Sequence, residues 1–141
     1  SSAASDVYKR QAKAIQIALE DAGLMPKDID YINLHGTGTI SNDLMEANAV
    51  YKVFGSSVPA SSTKPVTGHC LGAAASIETF FCYEILNGVR GIPEHIYDGE
   101  YDESLPKINL AGKNLPSNDV KVCMCNAFGF GGTNAVLVLG K

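Results

Sequence analysis

The chain has no excess of positive charge, no long apolar run and no paired cysteine spacing, and each absence removes a class of function. Eleven Lys and Arg stand against 15 Asp and Glu over 141 residues, giving a net charge of −4 and a pI near 5.2. A protein whose main partner is nucleic acid turns a basic face to the phosphates, so that partner is set aside. No stretch of about 18 apolar residues occurs, and no membrane span is expected. The opening "SSAASDVYKRQ" lacks the apolar core of a secretory signal. Cys70, Cys82, Cys123 and Cys125 follow neither a disulfide framework nor a zinc-ribbon spacing, and are read as reduced thiols of a cytoplasmic protein. No metal site and no cofactor is expected. Internal repeats and low-complexity segments are also missing.

What is present is the composition of one ordinary domain, 45% hydrophobic and 18% charged. Ile15, Ala18, Leu19 and Ala22 keep a helical spacing that predicts a helix over 12–22, stopped by Gly23. Residues 29–34 read as a short buried strand. Asp43 with Glu46 three positions later has the form of a capping box for a helix that runs through Met45, Ala49, Val50 and Val53 to Gly55. A second short strand is expected over 58–62. Residues 70–86, apolar nearly all round, predict a buried helix closed by Asn87 and Gly88. Residues 92–119 form a long irregular connection. Residues 120–126 and 135–139 are two strands joined by the turn "AFGFGGTN". The alternation of strands and helices predicts an α/β fold, a mixed sheet covered by helices that ends in an antiparallel pair.

Three stretches could carry chemistry. In "NLHGTGT", His35 ends an apolar strand, where a histidine is as often a satisfied core residue as a working one. The following Gly-Thr-Gly-Thr tips the balance: Gly36 and Gly38 permit close approach of a ligand, and Thr37 and Thr39 supply hydroxyls for an extended polar one. In "SSTKPVTGHCLGAAA", His69 lies just before the predicted helix over 70–86. The positive end of that helix and the nearby Lys64 both favour a neutral imidazole that donates an N–H. In "NAFGFGGTN", Gly129, Gly131 and Gly132 interleave with Phe128 and Phe130, the pattern of a mobile turn or of backbone amides aimed at an anion. No Gly-Lys-Ser/Thr follows, so it is not a Walker loop, and it opens no helix as a dinucleotide fingerprint must.

Taken in order, "HGTGT…ND…E", "SSTKPVTGH.LGAA…E" and "CNAFGFGGTNA" resemble the C-terminal half of β-ketoacyl-[acyl carrier protein] synthases of the KAS I/II type, which have a thiolase-like fold. The resemblance extends over nearly all of 12–141. It implies that His35 and His69 are the two histidines of a Cys-His-His triad, that Lys64 supports the second of them, and that Glu78 is the glutamate further along the helix. Phe128 would gate the site and help form an oxyanion hole with its turn, including Gly129 and Phe130, while Thr37 and Thr39 would hold a phosphopantetheine arm. The implied partners are acyl carrier protein bearing malonyl and acyl groups, the N-terminal half of the same synthase, and a second subunit in a homodimer or heterodimer. Ala75 departs from the family's commoner glycine, and "TISND" from its commoner Thr-Pro wording.

The resemblance also implies that the nucleophilic cysteine belongs to the N-terminal half: Cys70 follows His69 directly, at a place where the family tolerates other residues, Cys82 lies in the middle of a helix and Cys125 in a strand. Residues 1–11 read as the in-frame translation of a transposase-type sequencing adapter, a scar ahead of a synthase C-terminal domain at 12–141. On this reading the chain is a truncated synthase, inactive alone and rich in exposed apolar surface. Two alternatives stand beside it. One is a chain-length-factor-type partner subunit, which often loses one or both histidines. The other is a remote metal- or ligand-binding α/β module.

Overall fold

A computed structural model describes residues 2–141, with the backbone course alone for residues 2–5 and 130. Four helices and four strands alternate along the chain: α1 Ser2–Ala22, β1 Tyr31–Asn33, α2 Ile40–Phe54, β2 Ala60–Ser61, α3 Lys64–Thr67, α4 Ala74–Leu86, β3 Val122–Phe128 and β4 Asn134–Gly140. The strand order is β2-β1-β3-β4. β1 runs parallel to both β2 and β3, and β4 closes the edge antiparallel to β3. The mixed sheet ending in an antiparallel pair is therefore as expected.

Period-two alternation in β3 sends its side chains to two different cores. Met124 and Phe128 pack with Ile15, Leu19, Ile32, Val50 and Phe54 under α1 and α2. Cys123 and Cys125 pack with Tyr31, Cys82 and Ile85 under α4. The register of β1 on β3 is pinned outside the ladder by Asp30, whose carboxylate accepts the N–H groups of Lys121 (2.8 Å) and Val122 (3.0 Å).

Four expectations need correction. α1 begins at Ser2, ten residues earlier than its apolar spacing suggested, so residues of the presumed leader continue the same helix. The helix expected from Cys70 starts only at Ala74. Leu71 has φ +49, a conformation no α-helix passes through, and a 3-10 turn at Leu71–Ala73 intervenes. Nor is α4 buried all round: Ala74, Glu78, Cys82, Ile85 and Leu86 face the sheet, while Phe80 and Tyr83 are 54% and 57% exposed on its outer side. Lastly, α2 is capped from Thr39 without a side-chain cap, and Glu46 is turned to another use.

Candidate active site

The end of β1 delivers His35 to the edge of the sheet, where the chain turns sharply. Gly36 at φ +38 sits against Ser62, and a Cβ on it would lie 2.5 Å from the Cβ of Ser62. That contact is the physical need for glycine after the histidine. His35 itself is 8% exposed. Its ring lies 5.6 Å from the ring of His69, almost perpendicular at 87°, and 6.4 Å from the ring of Phe128 at the end of β3.

Burial first, then the charges of Lys64 and His69, lowers the His35 pKa to about 4, so the ring is neutral near pH 7. Its Nδ1 is buried without a hydrogen-bond partner among the described residues. His69 is exposed. Its Nδ1 accepts the N–H of Leu71 at 3.2 Å, which puts the ring hydrogen on Nε2 and makes that atom the donor. The sequence placed this ring at the positive end of a following helix, but α4 begins five residues away and the Leu71 N–H of the 3-10 turn orients it.

Behind His35 lies a tie between buried charges. Lys64 is 7% exposed and Glu78 1% exposed. The Lys64 ammonium donates both to the His35 carbonyl and to Oε1 of Glu78. Burial raises the Glu78 pKa against the stabilising hydrogen bond and charge of Lys64. Lys64 thus acts on the first histidine as well as lying before the second.

Thr37 and Thr39 share a hydroxyl–hydroxyl hydrogen bond of 3.1 Å. They line one cleft of about 620 Å³ together with His35, His69, Phe128 and Gly129. Phe128 is buried at 4% exposure. The Gly129 N–H is already given to the Thr133 carbonyl at 2.8 Å, so it is not an open donor of the turn. The backbone of Phe130 belongs to the 3-10 turn Phe130–Gly132, but its side chain lies outside the described residues.

Sequence reasoning missed four residues that hold this site. The buried Glu46 carboxylate accepts the N–H groups of His35 and Gly36, both at 2.8 Å, and the side-chain amide of Asn126 at 3.3 Å. Burial lifts its pKa to about 7 against the pull of those donors. An acid on a helix eleven residues past His35 has the look of a cap, because local spacing says nothing of the fold-back. Ser62 and His95 complete the set from the second strand end and the long connection. No group of three metal-ligating side chains occurs among the described residues. Cys82, Cys123 and Cys125 are buried, and mutual hydrogen bonding with burial pushes the Cys82 thiol up; Cys70 is exposed.

An α/β sheet edge that brings two imidazoles and a glycine-rich turn to one cleft is the kind of site that stabilises developing negative charge on oxygen. Comparison with known proteins agrees with that class. Residues 1–94 match the family Beta-ketoacyl synthase, C-terminal domain. The chain belongs to this family. It is 42% identical over 130 residues to Nodulation protein E of Rhizobium leguminosarum bv. trifolii, covering 88% of this chain and 31% of that protein. It is 38% identical over 134 residues to 3-oxoacyl-[acyl-carrier-protein] synthase 2 of Staphylococcus aureus (strain COL), covering 92% and 32%. The chain therefore spans about a third of the length of the curated relatives it matches.

Among solved structures it superposes on the complex of the ketosynthase ApeO with its chain length factor ApeC from Xenorhabdus doucetiae. The TM-score is 0.86 at 42% identity, over 92% of this chain and 32% of the other. A beta-ketoacyl synthase from Burkholderia phymatum STM815 gives a TM-score of 0.87 at 33% identity, over 93% and 32%. The thiolase-like ketosynthase fold expected from the motifs is thus shown.

Proposed function

We propose that this chain is the histidine-bearing C-terminal part of a β-ketoacyl synthase that joins a malonyl unit to an acyl group in fatty acid or polyketide assembly. The observation that carries the reading is the meeting of His35 and His69 at 5.6 Å, with His35 held neutral by burial and the His69 ring turned by the N–H of Leu71. In the reaction, the C–C bond to the malonyl carboxylate breaks, CO2 leaves, and the electron pair passes onto the thioester oxygen as an enolate. Two imidazole N–H donors aimed at that oxygen are worth roughly 3–4 kcal/mol each. The enolate carbon then attacks an acyl thioester, the tetrahedral oxyanion collapses, and the thiolate departs.

The nucleophilic cysteine, on this reading, comes from an N-terminal half, which with a second subunit would also cover the outer face of α4. The malonyl and acyl groups arrive on acyl carrier protein, with the arm running past Thr37 and Thr39, and the whole acts in the cytoplasm. Residues 1–11 are the adapter-derived leader of a domain at 12–141. The Staphylococcus aureus relative is named as a synthase of the acyl-carrier-protein type, which supports the substrate class. The complexes with chain length factors among the structural relatives favour one second reading, a non-condensing partner subunit. Retention of both His35 and His69 weighs against it.

The test is release of CO2 from malonyl-acyl carrier protein by the product of the intact reading frame. Activity is expected in that product, with a fall of about 10²–10³ in each of H35A and H69A, and no steady product from the 141-residue chain alone. An intact protein that releases no CO2, or that keeps full activity in both variants, overturns the reading. A residue other than cysteine at the nucleophile position would move it to the partner subunit.

A further inference from the structure

The long connection between α4 and β3 contributes one residue to the back of the site that none of its motifs singles out. His95 lies in "IPEHIY", held by its own N–H on the Ala111 carbonyl at 2.8 Å and by the Tyr97 ring at 5.6 Å. Its Nδ1 accepts the backbone N–H of Ser62 at 3.1 Å. Ser62 in turn ties together the two segments that carry the site's chemistry. Its hydroxyl donates to the Gly36 carbonyl at 2.9 Å, one residue past His35, and accepts the Lys64 N–H at 3.3 Å at the start of α3. Gly36 is pressed against the same side chain so closely that no Cβ fits between them.

We propose that His95 is a positioning residue: by fixing Ser62 it sets the His35–Gly36 turn and the Lys64 helix in the one relative placement in which His35 faces His69. The inference rests on the condensing-enzyme reading above. The chain of contacts is short and leaves little slack. A shift of Ser62 displaces Gly36 directly, because their atoms touch, and displaces Lys64, whose ammonium holds the His35 carbonyl from the other side. Burial keeps the His95 imidazole below its ordinary pKa, against the pull of Asp43, so Nδ1 stays unprotonated and able to accept. A displacement of about 1 Å at such a site can cost up to about a hundredfold in rate.

The experiment compares H95L and H95N in the intact synthase. Asparagine places its Oδ1 near the position of Nδ1 and can still accept the Ser62 N–H, whereas leucine cannot. Expected for H95L is a fall of about tenfold in kcat for malonyl decarboxylation with KM within about twofold, and recovery to within about threefold of wild type in H95N. S62A, which removes the hydroxyl bridge and little volume, is expected to match H95L and serves if that variant does not fold. A kcat in H95L or S62A within twofold of wild type, equal losses in H95N and H95L, or a change confined to KM overturns the proposal. Failure of the parent reading looks different, since wild type itself then releases no CO2. In that case an NMR scalar coupling between the Ser62 amide nitrogen and His95 Nδ1, together with its persistence or loss, still decides whether His95 holds the turn.

Discussion

The two histidines of the site are held in opposite ways. His35 is 8% exposed and its turn is tied on three sides: Glu46 takes its N–H, Lys64 takes its carbonyl, and Ser62 takes the next carbonyl. His69 is exposed, between Gly68 at φ +73 and Leu71 at φ +49, and its ring is oriented by the N–H of Leu71 alone. Chain buried in this domain carries its own supports. The His69 segment, by contrast, is exposed, and Leu71 two residues on is 76% exposed. The difference teaches that this domain fixes the first histidine from several elements and the second only from its own turn.

The comparison breaks most severely at Lys64. K64A strips the buried Glu78 carboxylate of its partner and releases the His35 carbonyl. A loss of about 3–5 kcal/mol in unfolding free energy is expected by urea titration, with the His35 turn the first to lose amide-exchange protection.

A pH series is the next largest. His35, lowered from 6.5 to about 4, contributes stability that is complete above pH 6.5 and is lost as pH falls toward 4. Glu46, raised from 4.5 to about 7, contributes stability that is complete below pH 4.5 and is lost as pH rises through 7. The two windows overlap with opposite sign, so these two groups nearly cancel in the wild-type profile. E46Q removes one of them, and stability should then climb by about 3 kcal/mol between pH 4 and 6.5. An NMR titration of His35 in E46Q separates its share from those of Glu78 and His95, and an ordinary value there would overturn the expectation.

Glycine substitutions sharpen the contrast at smaller cost. Gly36 and Gly131 both have positive φ, but a Cβ on Gly36 collides with Ser62 while one on Gly131 meets nothing within 4 Å. G36A is expected to lose about 2–3 kcal/mol, from strain plus overlap, and G131A about 1 kcal/mol, from strain alone. Equal losses in thermal melts would show that the Ser62 contact does not matter. Smallest is H69A, expected to change stability by less than about 0.5 kcal/mol because the ring is exposed, although under the proposed function its expected effect on decarboxylation is among the largest.

Much of the fold was legible because its signals are local. The apolar spacing of Ile15 and Leu19, the stop at Gly23, and the short runs that became β1 and β2 all report on neighbours along the chain. The misreadings share a cause. Glu46 was taken for a cap because it stands three residues after Asp43, yet it reaches back across the fold to the amides of His35 and Gly36. The helix over 70–86 was expected to be buried because nearly every residue is apolar. Its outer side chains, Phe80 and Tyr83, instead stack on each other at 6.3 Å on an uncovered face. Composition cannot say whether the surface that covers an apolar face lies in the same piece of chain.

By itself, the sequence determined which residue types the site has to work with and in what order they come: a histidine at a strand end, a lysine and second histidine beyond the next strand, and a glycine-rich turn before the last one. Local propensity and motif order carry that much, since both are written along the chain. Only the tertiary structure decided that Glu46, Ser62, Lys64 and His95 converge behind the first histidine and that, among the described residues, nothing comparable stands behind the second. The pairing of β1 with β2 and β3 sets that outcome, because parallel neighbours bring strand ends from distant stretches to one edge, where burial turns ordinary side chains into supports.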